Sequence, residues 1–153
     1  MPIKIAAKID RHDAVYFEQV ITPLLRRPGV EFIGEVGGAE KDQLLGGARG
    51  LLFPIDWPEP FGLVMIEALA CGTPVVAYPR GSVPEILEHG VTGFVVDDVE
   101  QAVAAVNKLD TLSRRQCRRA FEQRFSTQRM TDDYLAVYQD LIVGRRPALA
   151  VGL

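Results

Sequence analysis

The feature that most constrains this chain is an alternation of short apolar runs with helix-period segments, kept up from Ile3 to Val96. Ile3 to Ile9 is an apolar run suited to a buried strand. From Asp13 the residues Val15, Phe17, Val20, Ile21, Leu24 and Leu25 recur at helical spacing until Pro28-Gly29 breaks them. Val30 to Ile33 is a second strand, Gly34 to Gly38 a turn, and Ala39 to Ala48 a polar-headed helix. Leu51 to Phe53, Thr73 to Tyr78 and Gly93 to Val96 predict three more strands. Between them fall a helix over Gly62 to Cys71, apolar nearly all round and therefore expected to be buried, and a short helix with Ser82 as N-cap and Glu85 as capping-box partner. Parallel strands need crossover elements between them, so this order predicts a parallel sheet of about five strands with helices on both faces. From Val99 the pattern is purely helical, over 99–109, 113–124 and 126–143. The fold expected is an α/β, Rossmann-like, doubly wound domain over 1–143 with a helical C-terminal extension, then a flexible tail over 144–153.

Composition narrows the function. A length of 153 residues is about one domain, and 48% hydrophobic with 24% charged residues is that of a globular protein rather than a disordered one. A net charge of −3 leaves no general electrostatic footprint for nucleic acid, so no nucleic-acid partner is expected. The first residues are broken by Lys4, Lys8 and Asp10 and do not read as a signal peptide. No apolar run reaches the roughly 18 residues of a membrane span. Cys71 and Cys117 stand in unlike contexts and only His12 and His89 accompany them, so no metal or thiol-redox spacing is expected and the setting is read as reducing and cytoplasmic.

In an open parallel sheet, ligands sit outside the carboxyl ends of the strands, which directs attention to the loop from Pro54 to Phe61. Pro58 and Pro60 hold the chain extended around Glu59, and Gly62 opens the next helix without a side chain. The N–H groups of Gly62, Leu63 and Val64 are therefore expected to point outward unpaired, at the positive end of a helix dipole, where they suit a phosphate. Glu67, in the second turn of an otherwise apolar helix, calls for a partner such as a pair of hydroxyls.

Glu59-Pro-Phe-Gly-Leu-Val-Met-Ile-Glu67, Ala68-Leu-Ala-Cys-Gly-Thr-Pro-Val-Val76 and Gly81-Ser-Val-Pro-Glu-Ile-Leu-Glu-His-Gly-Val-Thr-Gly-Phe94 together resemble the nucleotide-sugar-binding half of retaining glycosyltransferases with the GT-B fold, family 4 (glycosyl transferases group 1). The similarity runs from about Val30 to Ile142. The resemblance implies that Glu59, the first Glu of a Glu-seven-residues-Glu motif, contacts the donor sugar beside the reacting anomeric centre and is the catalytic position. It implies that Glu67 accepts hydrogen bonds from the ribose hydroxyls, and that Phe61, Gly62, Leu63 and Val64 carry the main-chain amides that bind diphosphate and sugar. Val36 matches the position whose backbone reads the base and Lys41 lies along the base edge; Lys8, where Lys8-Ile9-Asp10 replaces the family's more usual glycine-rich turn, reads either as reaching toward the phosphate or as a solvated surface lysine. The donor is UDP-, GDP- or ADP-linked, and neither a cofactor nor a metal is implied.

The same resemblance points to what is not matched: an acceptor-binding N-terminal domain, and a first strand-helix unit whose Arg and Lys neutralise the diphosphate. Two such charge-assisted contacts, at about 1.5–3 kcal/mol each, weaken binding tenfold or more when lost. The expectation is thus a donor-binding domain with little or no turnover alone, partnered by an acceptor domain in cis or in trans. The rivals are a stand-alone nucleotide-sugar-binding module and half of a sugar-nucleotide epimerase. A phosphorylase requires a pyridoxal-phosphate lysine that no position supplies. Arg114, Arg115, Arg118, Arg119, Arg124 and Arg129 form a basic stripe, read as a solvated helix face pairing with acids such as Glu122, with peripheral membrane contact left open.

Overall fold

The computed structural model of the chain describes residues 1–144, which form two compact units dividing between Leu44 and Leu45. Of the tail expected over 144–153, all but Gly144 lies outside the described residues.

In the first unit, β1 (Ile3–Ala6) pairs in parallel with β2 (Val30–Gly34), with Ile3 opposite Val30 and Ile5 opposite Phe32. Their crossover is helical but not uniformly so: α1 (Ala14–Tyr16) leads into a π-helical turn, Phe17–Ile21, and then α2 (Thr22–Leu25). Pro23 accounts for the change of winding. It has no N–H, and in an α-helix its ring collides with the carbonyl four residues back; a wider turn just before it relieves both. Both the N–H and the hydroxyl of Thr22 reach back to the Phe17 carbonyl, the hydroxyl at 3.1 Å. The Phe17 ring packs against Phe32, centroids 5.0 Å apart. After β2 comes α3 (Gly38–Gly47).

The second unit holds a three-stranded parallel sheet in the order β3 (Leu51–Phe53), β4 (Val75–Ala77), β5 (Gly93–Val95). Among the described residues there are therefore five parallel strands, hydrogen-bonded as a pair in the first unit and a triplet in the second. Crossovers are α4 (Leu63–Ala70) and the one-turn α5 (Val83–Ile86), and α6 (Val99–Lys108), a 3-10 turn at Leu109–Thr111, α7 (Arg114–Arg124) and α8 (Thr127–Ile142) follow β5. Successive strand residues point to opposite faces, and β4, buried throughout, separates two cores. Val75 and Ala77 join Met65, Leu69, Val83 and Cys117, whereas Val76 joins Val96, Ala105 and Leu109. Helices α4, α5 and α7 thus pack on one face and α6 on the other, with each fully buried side chain contributing about 1.5–3 kcal/mol.

Two expectations need correcting. Helix α4 was expected to be buried all round. Met65, Ile66, Ala68 and Leu69 are buried, but Leu63 is 64% exposed and Glu67, one turn on along the same stripe, is only partly buried. The second concerns the arginines. Arg118 pairs with Glu122 at 2.7 Å as expected, yet four of the six also clasp carbonyls at helix ends, Arg129 reaching the Gln123 carbonyl in the last turn of α7 at 3.2 Å. Arg114 donates to the carbonyls of Gly46 and Ala48, both at 2.7 Å, and to the Thr73 hydroxyl at 2.8 Å. Arg118 donates to Ala70 O at 2.6 Å, and Arg124 to the carbonyls of Ile86 and Glu85. The last carbonyls of α3, α4 and α5 have no intrahelical partner and carry partial negative charge, which a guanidinium satisfies twice over. Among the described residues no helix is long and apolar enough to cross a membrane.

Candidate functional site

The loop between β3 and α4 is built to present one carboxylate to the head of a helix. Gly62, the N-cap of α4, takes the left-handed conformation (φ +71°), which turns the chain sharply into the helix. Glycine offers no capping side chain, and Glu59 supplies the cap from three residues upstream. Glu59 Oε1 accepts the N–H of Gly62 at 3.1 Å and of Phe61 at 3.4 Å, while Oε2 accepts the indole N–H of Trp57 at 3.2 Å. The Gly62 N–H, then the Trp57 donor, hold the Glu59 carboxyl below its ordinary range, because each bond favours the ionised form. The expectation of three unpaired amides is corrected accordingly. The Gly62 N–H is taken by Glu59, and the N–H groups of Leu63 and Val64 head the helix without an intrahelical acceptor.

A second segment fixes this loop in place. The Ser82 N–H donates to the Glu59 carbonyl at 2.9 Å, and Arg80 pairs with Asp56 at 2.8 Å. Gly81, at φ +53°, runs so close beneath Glu59 that a Cβ there would lie 2.1 Å from the Glu59 carbonyl oxygen. Ser82 itself overturns an expectation: it lies in the helical region of the backbone, its side chain makes no capping bond, and its Oγ is buried without a partner. With its N–H already given to the Glu59 carbonyl, Ser82 has no free amide for the Glu85 side chain to accept, so the reciprocal half of a capping box is not formed.

Glu67 follows Leu63 by one turn of α4, on the same open stripe. The structure therefore brings Glu59, Phe61, Gly62, Leu63, Val64 and Glu67 into one strand-end loop and helix start. Lys8, Val36 and Lys41 belong to the other compact unit: Lys8 is exposed and 3.4 Å from Asp10, Val36 is half-buried between β2 and α3, and Lys41 is in the first turns of α3. A cavity of about 260 Å³ opens beside Phe61 and is lined by Ile66, Ser82, Glu85, Ile86, Arg124 and Phe125, with neither Glu59 nor Glu67 on its walls. Sequence reasoning missed Trp57 as a donor to Glu59 and Gly81 as its floor. A left-handed glycine at a turn was legible in Pro79-Arg80-Gly81, but not the segment it would face. His89 accepts the Val95 N–H at Nδ1 (3.2 Å) and packs edge-on against Phe94.

A parallel α/β arrangement in which a strand-end loop sets a carboxylate against a helix N-terminus is that of a Rossmann-like ligand-binding domain. The chain belongs to the glycosyl transferases group 1 family, which matches residues 11–128. That match starts earlier than the Val30 expected from the motifs and stops short of Ile142. Among its relatives, the N-acetyl-alpha-D-glucosaminyl L-malate synthase of Bacillus anthracis is 33% identical over 100 residues, covering 60% of this chain and 26% of that protein. The D-inositol 3-phosphate glycosyltransferase of Mycobacterium marinum is 39% identical over 105 residues, covering 59% of this chain and 22% of that one. Anabaena HepE, solved in complex with UDP-glucose, superposes with a TM-score of 0.72 at 27% identity, over 91% of this chain and 41% of its own. The chain spans about a quarter of the length of the relatives it matches. The α/β fold is that of part of a GT-B glycosyltransferase, as the motifs implied.

Proposed function

We propose that this chain is the donor-binding domain of a retaining, metal-independent glycosyltransferase, and that it turns over slowly or not at all without an acceptor-binding domain supplied in cis or in trans. The observation that carries the reading is the layout at α4: an ionised Glu59 held by three donors, the open amides of Leu63 and Val64 beside it, and Glu67 one turn further on. In this reading the α4 amides and the helix dipole neutralise the donor diphosphate without a metal ion. Glu59 receives a sugar hydroxyl near the anomeric carbon, and Glu67 receives the ribose hydroxyls. Retention follows from same-face attack, in which the leaving phosphate takes the acceptor proton while a second domain holds the acceptor in line. UDP-glucose is the first donor to test, because HepE was solved with it and shares the fold at 27% identity; GDP- and ADP-sugars are the alternatives. The setting proposed is cytoplasmic, peripheral to a membrane where the acceptor is lipid-linked.

Calorimetric titration with UDP, GDP, ADP and their glucose conjugates tests this, with Glu67→Ala in parallel. One nucleotide should bind, and the substitution should abolish binding. Absence of binding by every nucleotide to a folded chain, or equal binding by Glu67→Ala, refutes the reading. Glycosyl transfer by the purified chain alone refutes the dependence on an acceptor domain.

A further inference from the structure

An ionised carboxylate offers about four acceptor positions, two on each oxygen. Glu59 has three of them filled: Oε1 by the Phe61 and Gly62 amides, and Oε2 by the Trp57 indole. One position, on Oε2, is left. The backbone amides fix Oε1 as part of the helix cap, so the orientation of Oε2 depends on Trp57. Trp57 is 57% exposed and is not part of a core. Its place is set instead by a tight turn, in which the Glu59 N–H donates to the Trp57 carbonyl at 2.9 Å, and by the Asp56–Arg80 ion pair next to it. An indole N–H is a donor only, so the contact to Oε2 has one sense and cannot invert as a hydroxyl or amide could.

We propose that Trp57 is a positioning residue, and that its indole orients Glu59 Oε2 so that one acceptor position is open to one hydroxyl of the donor sugar. The inference rests on the donor-site reading above and assigns Trp57 to the sugar half of the ligand. Trp57→Phe keeps the ring and removes the donor. It should leave UDP affinity within about twofold and weaken UDP-glucose about tenfold, the value of one hydrogen bond to a charged group. In a Glu59→Ala background the same substitution should have no further effect, because the indole then has nothing to orient. Carbon-detected NMR titration of the Glu59 carboxyl gives a readout that a role through ring packing alone would not move: Trp57→Phe should raise the pH at which Glu59 titrates. A wild-type chain that binds neither ligand sinks the donor-site reading and this inference with it. A wild-type chain that binds UDP-glucose more tightly than UDP, with the ratio unchanged in Trp57→Phe, overturns the inference alone. Equal weakening of both ligands, or a full effect of Trp57→Phe in the Glu59→Ala background, also overturns it.

Discussion

Gly81→Ala is the most incisive perturbation of this site, because it acts on Glu59 through backbone alone. The new methyl would lie 2.1 Å from the Glu59 carbonyl oxygen, 2.6 Å from its nitrogen and 2.8 Å from its carbonyl carbon. All three are main-chain atoms, so no rotamer change relieves the contact and one of the two segments must shift. Holding alanine at φ +53° costs about 1–2 kcal/mol. The Ser82–Glu59 hydrogen bond, broken by any shift, adds about 1 kcal/mol. A loss of roughly 2–3 kcal/mol corresponds to a fall in Tm of about 4–12 °C for a chain of this size. Thermal unfolding followed by circular dichroism measures it, and calorimetry on the same sample should show donor affinity lost as Glu59 moves from the helix head. Gly62→Ala separates conformational strain from backbone collision: it is strained in the same way (φ +71°), but its methyl meets side chains and no backbone, overlapping the far end of Met65 at 2.3 Å and touching Ser82 Oγ at 3.4 Å and Ile86 Cδ1 at 3.6 Å. It should cost less than Gly81→Ala. A Gly81→Ala protein melting within about 2 °C of wild type would refute the packing argument.

The other predictions concern charge and burial. Glu59 has a folded pKa below its ordinary value of 4.5, so its stabilising contribution is complete above that value and disappears as pH falls through the folded one. The Tm difference between wild type and Glu59→Gln should therefore persist at pH 4.5 and shrink as the pH is lowered further; a difference that grows on acidification contradicts it. Burial pushes the Cys117 thiol up, whereas Cys71 is only partly buried. Ellman's reagent at pH 8 should label Cys71 in the native protein and reach Cys117 only on unfolding; rapid labelling of Cys117 in a Cys71→Ser chain would disprove this. Arg114→Met removes bonds to Gly46, Ala48 and Thr73 and should cost about 1–3 kcal/mol, while Arg115→Met, on the exposed side of α7, should fall within about 0.5 kcal/mol of wild type. Equal melting of the two variants would show that the carbonyl clasp contributes nothing.

The amino-acid sequence by itself determined the order of elements and where each one starts and stops. Every strand and nearly every helix boundary falls within a few residues of its expected place, because these signals are local: Pro28-Gly29 ends one helix, Asp98 and Ser113 cap others with their own side chains, and alternation along Val75-Val76-Ala77 assigns each residue to a face. The helix start at Gly62 and the two glutamates of the site were legible for the same reason, since Glu59, Gly62 and Glu67 lie within three turns' length of chain. The tertiary structure decided what each group is bonded to. Whether the Gly62 amide is open or capped depends on how the carboxylate of Glu59 folds back on it, and that depends on Gly81, 22 residues further along, passing beneath the loop. Ser82 has the residue type of an N-cap, and Arg114, Arg118 and Arg124 that of a solvated stripe, yet backbone geometry withholds the cap and nearby carbonyls capture the guanidiniums. Polar groups bond to whatever donor or acceptor the packed chain brings within about 3 Å, and that proximity is set by the fold rather than by sequence spacing.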